Sequence, residues 1–69
     1  MDRRAVGKNI RKRLTDIGMT KCSLAEKVGL TEVTISRYIL GQRQPTSYAL
    51  YRIAIVLGVT MEQLMQGVE

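Results

Sequence analysis

Histidine is missing from this sequence, and with it the commonest general base and a usual zinc ligand. The single cysteine, Cys22, cannot form an intramolecular disulfide and has no second soft ligand to share a metal with. It fits a reducing cytoplasm and reads as a small residue at a helix start rather than a redox centre. The six acidic residues are scattered, and the six glycines form neither a G-x-G-x-x-G nor a P-loop pattern. No catalytic constellation, cofactor, metal or small-molecule ligand is therefore expected, and the chain does not read as an enzyme. Phenylalanine and tryptophan are also absent, so the core must be aliphatic, built from Leu, Ile, Val and Met. The longest apolar run, Ile53 to Leu57, falls far short of the roughly 18 residues of a membrane span. Nor is the basic start followed by the apolar stretch of an export signal.

What the sequence does have is positive charge. Eleven Lys and Arg against six Asp and Glu give a formal charge of +5 on 69 residues. A field of that sign attracts polyanions, although a solvated basic face accounts for the same composition. Arg3, Arg4, Lys8, Arg11, Lys12 and Arg13 crowd the start, whereas beyond Arg52 the only charged side chains are Glu62 and Glu69. The length suits one domain, 1–69, and so short a chain buries only about 60% of its unfolded surface. Close helix packing, a partner subunit or both must supply the stability.

The hydrophobic pattern is helical throughout. Val6, Ile10, Leu14 and Ile17 recur at steps of four, four and three, with Arg4, Lys8, Arg11 and Lys12 on the opposite face and Arg13 at its border. A membrane-surface helix shares this pattern, but four aliphatics without an aromatic anchor favour a core-facing one. A punctuation then recurs three times, as Gly18-Met19-Thr20, Gly29-Leu30-Thr31 and Gly58-Val59-Thr60. Glycine stops one helix, the apolar residue packs back, and threonine caps the next. Gln63 completes a possible capping box with Thr60. Gly41 and Gly67 add two further stops. The predicted helices run near residues 3–17, 21–28, 32–40, 47–57 and 61–66, an all-α fold. The one long connection, Gly41 to Thr46, contains Pro45, which disfavours helix at Gln44. The fourth helix, with Leu50, Ile53, Ala54, Ile55, Val56 and Leu57, is apolar nearly all round and is expected to be central.

The stretch Lys21–Leu40 organises the remainder. It reads as a helix-turn-helix: Ala25 permits close approach, Gly29 ends the first helix, and Ile35 and Tyr38 point inward from the second. Val33, Ser36, Arg37 and Leu40 then fall on the outer face. An exposed valine is odd in a purely structural helix but can meet a thymine methyl. Arg37 suits guanine, and Ser36 suits a base or a phosphate. Glu32 either accepts from a cytosine amine or simply complements the helix dipole. Phosphate contacts are expected from Lys21 and from Gln42 and Arg43 just beyond the helix, with Lys8, Arg11 and Lys12 as weaker candidates.

These residues resemble a known family. Gly7-x-x-Ile10, Gly18-Met19-Thr20, Leu24-Ala25-Glu26-Lys27-Val28-Gly29-Leu30, Ile35-Ser36-Arg37-Tyr38, Gly41-Gln42-Arg43-Gln44-Pro45 and Leu50-x-x-Ile53-Ala54-x-x-Leu57-Gly58-Val59 together look like the Cro-repressor/Xre type of helix-turn-helix. The likeness covers essentially the whole chain. It implies a compact five-helix, lambda-repressor-like domain whose second and third helices form the motif. It further implies a bacterial or phage regulator, cytoplasmic and nucleoid-associated, that binds a palindromic operator on double-stranded DNA as a homodimer, typically to repress. Carried over, the base-reading positions are Glu32, Val33, Ser36 and Arg37, and the phosphate-binding positions Lys21, Gln42 and Arg43. For the dimer, the charge-poor end with Met61, Leu64, Met65 and Val68 is the candidate surface, although those side chains could instead close the core. A protein-interaction module of the same fold, such as an antitoxin or a polymerase-binding adaptor, is the alternative. Two departures stand out. Lys21 replaces the family's usual glutamine, losing an acceptor. Leu14 and Ile39 replace an Arg and Glu that pair in many members, so these two aliphatics are expected to meet.

Overall fold

The threonines and glycines of the sequence punctuate the backbone as their chemistry dictates. The structure is a computed structural model that describes residues 4–67, and its helices are α1 (Ala5–Ile17), α2 (Lys21–Val28), α3 (Glu32–Ile39), α4 (Ser47–Leu57) and α5 (Met61–Leu64). Arg3 of the basic cluster, the expected helix start near residue 3, and Val68 of the candidate dimer surface lie outside the described residues. Thr20, Thr31, Thr46 and Thr60 each sit in extended backbone at a helix N-cap and accept the amide three residues on, at 3.0 to 3.2 Å. The Thr60 capping box is complete, with the Thr60 amide donating to Gln63 Oε1 at 2.8 Å.

Helix stops follow a common design. At the end of α2, Gly29 adopts φ +75°, a conformation in which a side chain would be strained, and the Leu30 amide donates back to the Ala25 carbonyl at 2.9 Å. Met19 and Val59 repeat this bond to Leu14 and Ala54. Met19, Leu30 and Val59, the three apolar residues of the repeated punctuation, all pack against the core. Satisfying the orphan carbonyls and burying an apolar side chain thus happen in the same turn.

The core is aliphatic, centred on the fully buried Ile10, Leu24, Ile35, Ile53, Leu57 and Leu64, with Tyr38 its only buried aromatic residue among those described. No polar or charged side chain is buried among them. The helix α1 lies against α3 at Gly7, where a Cβ would run into the main-chain carbonyls of Tyr38 and Ile39. Only glycine lets the two backbones approach so closely. At the other edge of α1, the Asn9 amide donates to the carbonyls of Leu64 (2.7 Å) and Gln66 (2.8 Å), and Arg13 Nε donates to Leu57 at 2.9 Å. These side chains satisfy carbonyls at the ends of α5 and α4, and the Arg13 cation also suits the negative end of α4.

Three expectations are corrected. Ile17, placed on the apolar stripe of α1, is 39% exposed, because the helix ends there and Met19 takes the packing position instead. The helix α4 is not apolar-covered all round: Leu50, Ile53, Ala54 and Leu57 are buried, but Tyr48, Tyr51 and Ile55 face outward. Leu64, offered for a dimer surface, is 2% exposed and closes the core of its own chain. What this end leaves for a partner is half-buried Met61 and exposed Met65.

Candidate nucleic-acid interface

The helix α3 is built to be rigid on one side and open on the other. Thr31 caps it, and the Thr31 and Thr34 hydroxyls lie 2.9 Å apart in a mutual hydrogen bond. Ile35 and Tyr38 anchor the inner face in the core, since residues three apart share one side of a helix. On the outer face Val33 and Arg37 are exposed and Ser36 is half-buried, and Glu32 is exposed at the start of the helix. Val33 is 60% exposed, so its methyls contribute little to folding and are free to meet an apolar group such as a thymine methyl. Glu32 occupies the first turn, where the helix dipole favours an acid.

The segment after α3 is held to it directly. Gln42 and Arg43 both donate main-chain amides to the Arg37 carbonyl, at 2.9 and 3.3 Å. Their exposed side chains therefore start from a turn fixed to the last turn of α3. Lys21 is the first residue of α2 and is exposed, lining the same groove as Ile39 of α3. All seven sequence-derived DNA candidates thus lie on the surface or at its edge. Leu14 is buried and Ile39 half-buried against the core, and both line that groove.

Several residues on the surface escaped the sequence reading. Tyr48 is 68% exposed, with the Arg52 guanidinium 5.8 Å from its ring centroid, a cation–π distance, whereas Leu40, already read as outward-facing, is 56% exposed. Tyr51 and Ile55, 52% and 60% exposed, line a depression with Ala54, Val59, Met61 and Glu62. The helical spacing of Tyr48, Tyr51 and Ile55 was the available signal: it marks a second apolar stripe on α4, opposite the buried one. Asn9 and Arg13 gave no comparable signal, because their partners are more than 40 residues away. Among the described residues no cluster of three potential metal ligands occurs, and no helix is long and apolar enough to cross a membrane.

This geometry is that of a helix-turn-helix, and comparison with known proteins agrees. A helix-turn-helix family model matches residues 10–64, and the chain belongs to that family, in its Xre-type branch of DNA-binding transcriptional regulators. Among curated proteins it is similar to YqaE of Bacillus subtilis (strain 168), described as an uncharacterized HTH-type transcriptional regulator. The two are 30% identical over 59 residues, 86% of this chain and 51% of that protein. The chain thus spans about half the length of the curated relative it matches. The solution structure of the DNA-binding domain of the P22 c2 repressor shares the fold, with a TM-score of 0.88 and 24% identity over 97% of this chain and 88% of that one. A domain of the same fold also forms part of the hydroxypropylphosphonic acid epoxidase of S. wedmorenis, with a TM-score of 0.82 and 27% identity over 88% of this chain but only 32% of the enzyme. The likeness to that enzyme stops at its helical third, so here it is the family and the exposed face of α3, rather than the fold alone, that bear on function.

Proposed function

We propose that this protein is a sequence-specific transcriptional regulator, acting as a repressor, that binds a palindromic operator as a homodimer with α3 in the major groove. The observation that carries this reading is the outer face of α3, where Val33 and Arg37 are exposed on a helix whose opposite face is locked into the core. Arg37 reads a guanine, Val33 a thymine methyl, Ser36 and Glu32 neighbouring base edges; Lys21, Gln42 and Arg43 hold the backbone. Such a protein acts in the cytoplasm, on nucleoid DNA.

The dimer forms through the face of α4 and α5 carrying Tyr51, Ile55, Met61 and Met65. Two molecules each of formal charge +5 repel at most orientations. Among the described residues, α4 and α5 themselves carry only Arg52 and Glu62 as charged side chains, one of each sign, so a second copy meets least opposition there. A two-fold pair would place recognition helices about 34–36 Å apart, one turn of DNA.

Selection of bound sequences from a random DNA pool tests this directly: a palindrome with half-sites one turn apart is expected. Arg37→Ala should relax one base position and cost about 1–3 kcal/mol, whereas Arg43→Ala should weaken all sequences alike. If both variants bind as the parent does, the operator reading fails, and a protein-docking role for this fold takes its place. Ile55→Glu should leave the fold intact, since the side chain is exposed, while sedimentation shows monomers.

A further inference from the structure

The groove between α1, the start of α2 and the end of α3 has a chemistry that phosphate binding does not use. Its volume is about 400 Å³, at the lower end of the range of small-molecule sites. Leu14, Met19 and Ile39 supply its apolar lining, and all three also belong to or pack on the core. Arg11 and Lys21 are its charged residues, both exposed, and Thr15 and Thr20 add hydroxyls. No acidic side chain lines it. An apolar trough carrying two cations and no acid is complementary to a molecule with an aliphatic tail and one anionic head. It is a poor match for a bare phosphate, which gains nothing from Leu14, Met19 or Ile39, and for a neutral hydrocarbon, which leaves Arg11 and Lys21 unused.

We propose that this groove binds a medium-chain aliphatic carboxylate, its tail along Leu14, Met19 and Ile39 and its carboxylate between Arg11 and Lys21. A carboxylate accepts charge-assisted hydrogen bonds from both cations, and each methylene leaving water adds to affinity. Occupancy has a consequence for the DNA face, because Lys21 cannot serve a carboxylate and an operator phosphate together. The ligand therefore releases DNA. That second step rests on the operator reading of Lys21, whereas binding itself does not.

The test separates the two. With the full chain and no DNA, titration of butyrate, octanoate and decanoate, each below its micelle-forming concentration, is followed by amide chemical shifts. The expected result is shifts confined to residues 11–21 and 39, with affinity rising about two- to fourfold per methylene along the series. Arg11→Gln should weaken decanoate roughly twofold to fivefold, the size of an exposed ion pair. Met19→Asn, at a half-buried position, should flatten the dependence on chain length. Decanol should bind more weakly than decanoate. Affinity independent of chain length, or decanoate shifts spread over the apolar face of Tyr51 and Ile55, would overturn the proposal. A DNA titration with and without decanoate then reads the second step. If decanoate binds in the groove but leaves DNA affinity unchanged, the site stands and Lys21 is not a phosphate contact.

Discussion

Gly7→Ala pits two well-calibrated effects against each other. In a helix interior, alanine is normally preferred over glycine by about 1 kcal/mol, so position 7 would ordinarily gain stability from the change. Here the new Cβ would stand 2.5 Å from the Ile39 carbonyl oxygen and 2.8 Å from its carbon, and closer still to the Tyr38 oxygen. These are main-chain atoms, which cannot rotate aside as a side chain can. Restoring ordinary contact requires α1 and α3 to separate by about an ångström, and overpacking of this kind costs roughly 1–3 kcal/mol. Rigid neighbours place the cost toward the upper end. The net expectation is a loss of about 1–2 kcal/mol, taking the upper part of that range less the propensity gain. In a domain this small that lowers Tm by roughly 4–16 °C. Urea unfolding followed by far-ultraviolet circular dichroism measures it, with an unchanged m-value expected if only the native state is affected. A variant as stable as the parent, or more so, would refute the close approach of α1 to α3.

Other expectations follow from the same packing. Leu14→Arg places a cation at a buried position without a partner and should cost about 2–4 kcal/mol, less than a fully enclosed charge because the groove lets the guanidinium reach water. Adding Ile39→Glu should recover part of that loss, which a double-mutant cycle on unfolding free energies reads as a favourable coupling. Asn9→Ala removes two hydrogen bonds to the end of α5 and should cost about 1–2 kcal/mol, with faster hydrogen exchange concentrated at residues 61–66.

Punctuation was the most legible part of the sequence, because it depends on single residues and their immediate neighbours. Gly18, Gly29 and Gly58 stop helices with φ between +67° and +75°, and Thr20, Thr31 and Thr60 start the next ones, as the repeated triplets imply. The inward and outward sides of α3 were equally readable, since Ile35 alone sets the helical phase. Less was legible wherever distant segments decide. Ile17 fits the periodicity of α1 but falls at its last residue, where no neighbour covers it. In α4 an apolar composition does not tell which face this chain covers and which it leaves for another, so Ile55 reads as part of the covered stripe although it is 60% exposed. Gly7 was seen only as part of a pattern. Its reason, two carbonyls of α3, lies about 30 residues away. In the candidate site, the exposure of Val33 and Arg37 followed from local phase, but the tie of Gln42 and Arg43 to the Arg37 carbonyl did not.

The bonds from Asn9 and Arg13 also bear on how the chain is made. Both residues emerge early in synthesis, yet their partners at Leu57, Leu64 and Gln66 are among the last of the described residues to be added. The neighbouring helices α2 and α3 can pair while the chain is still growing, at small loop-closure cost. For α1 the case differs: its polar edge stays unmated until α4 and α5 exist, so final closure waits until residue 66 has left the exit tunnel. A nascent chain in which residue 40 but not residue 57 has cleared the exit tunnel should thus hold α2 and α3 in contact while the Asn9 and Arg13 edge of α1 is still unmated, and protease resistance at residues 5–17 should be complete only once residue 66 has cleared the tunnel.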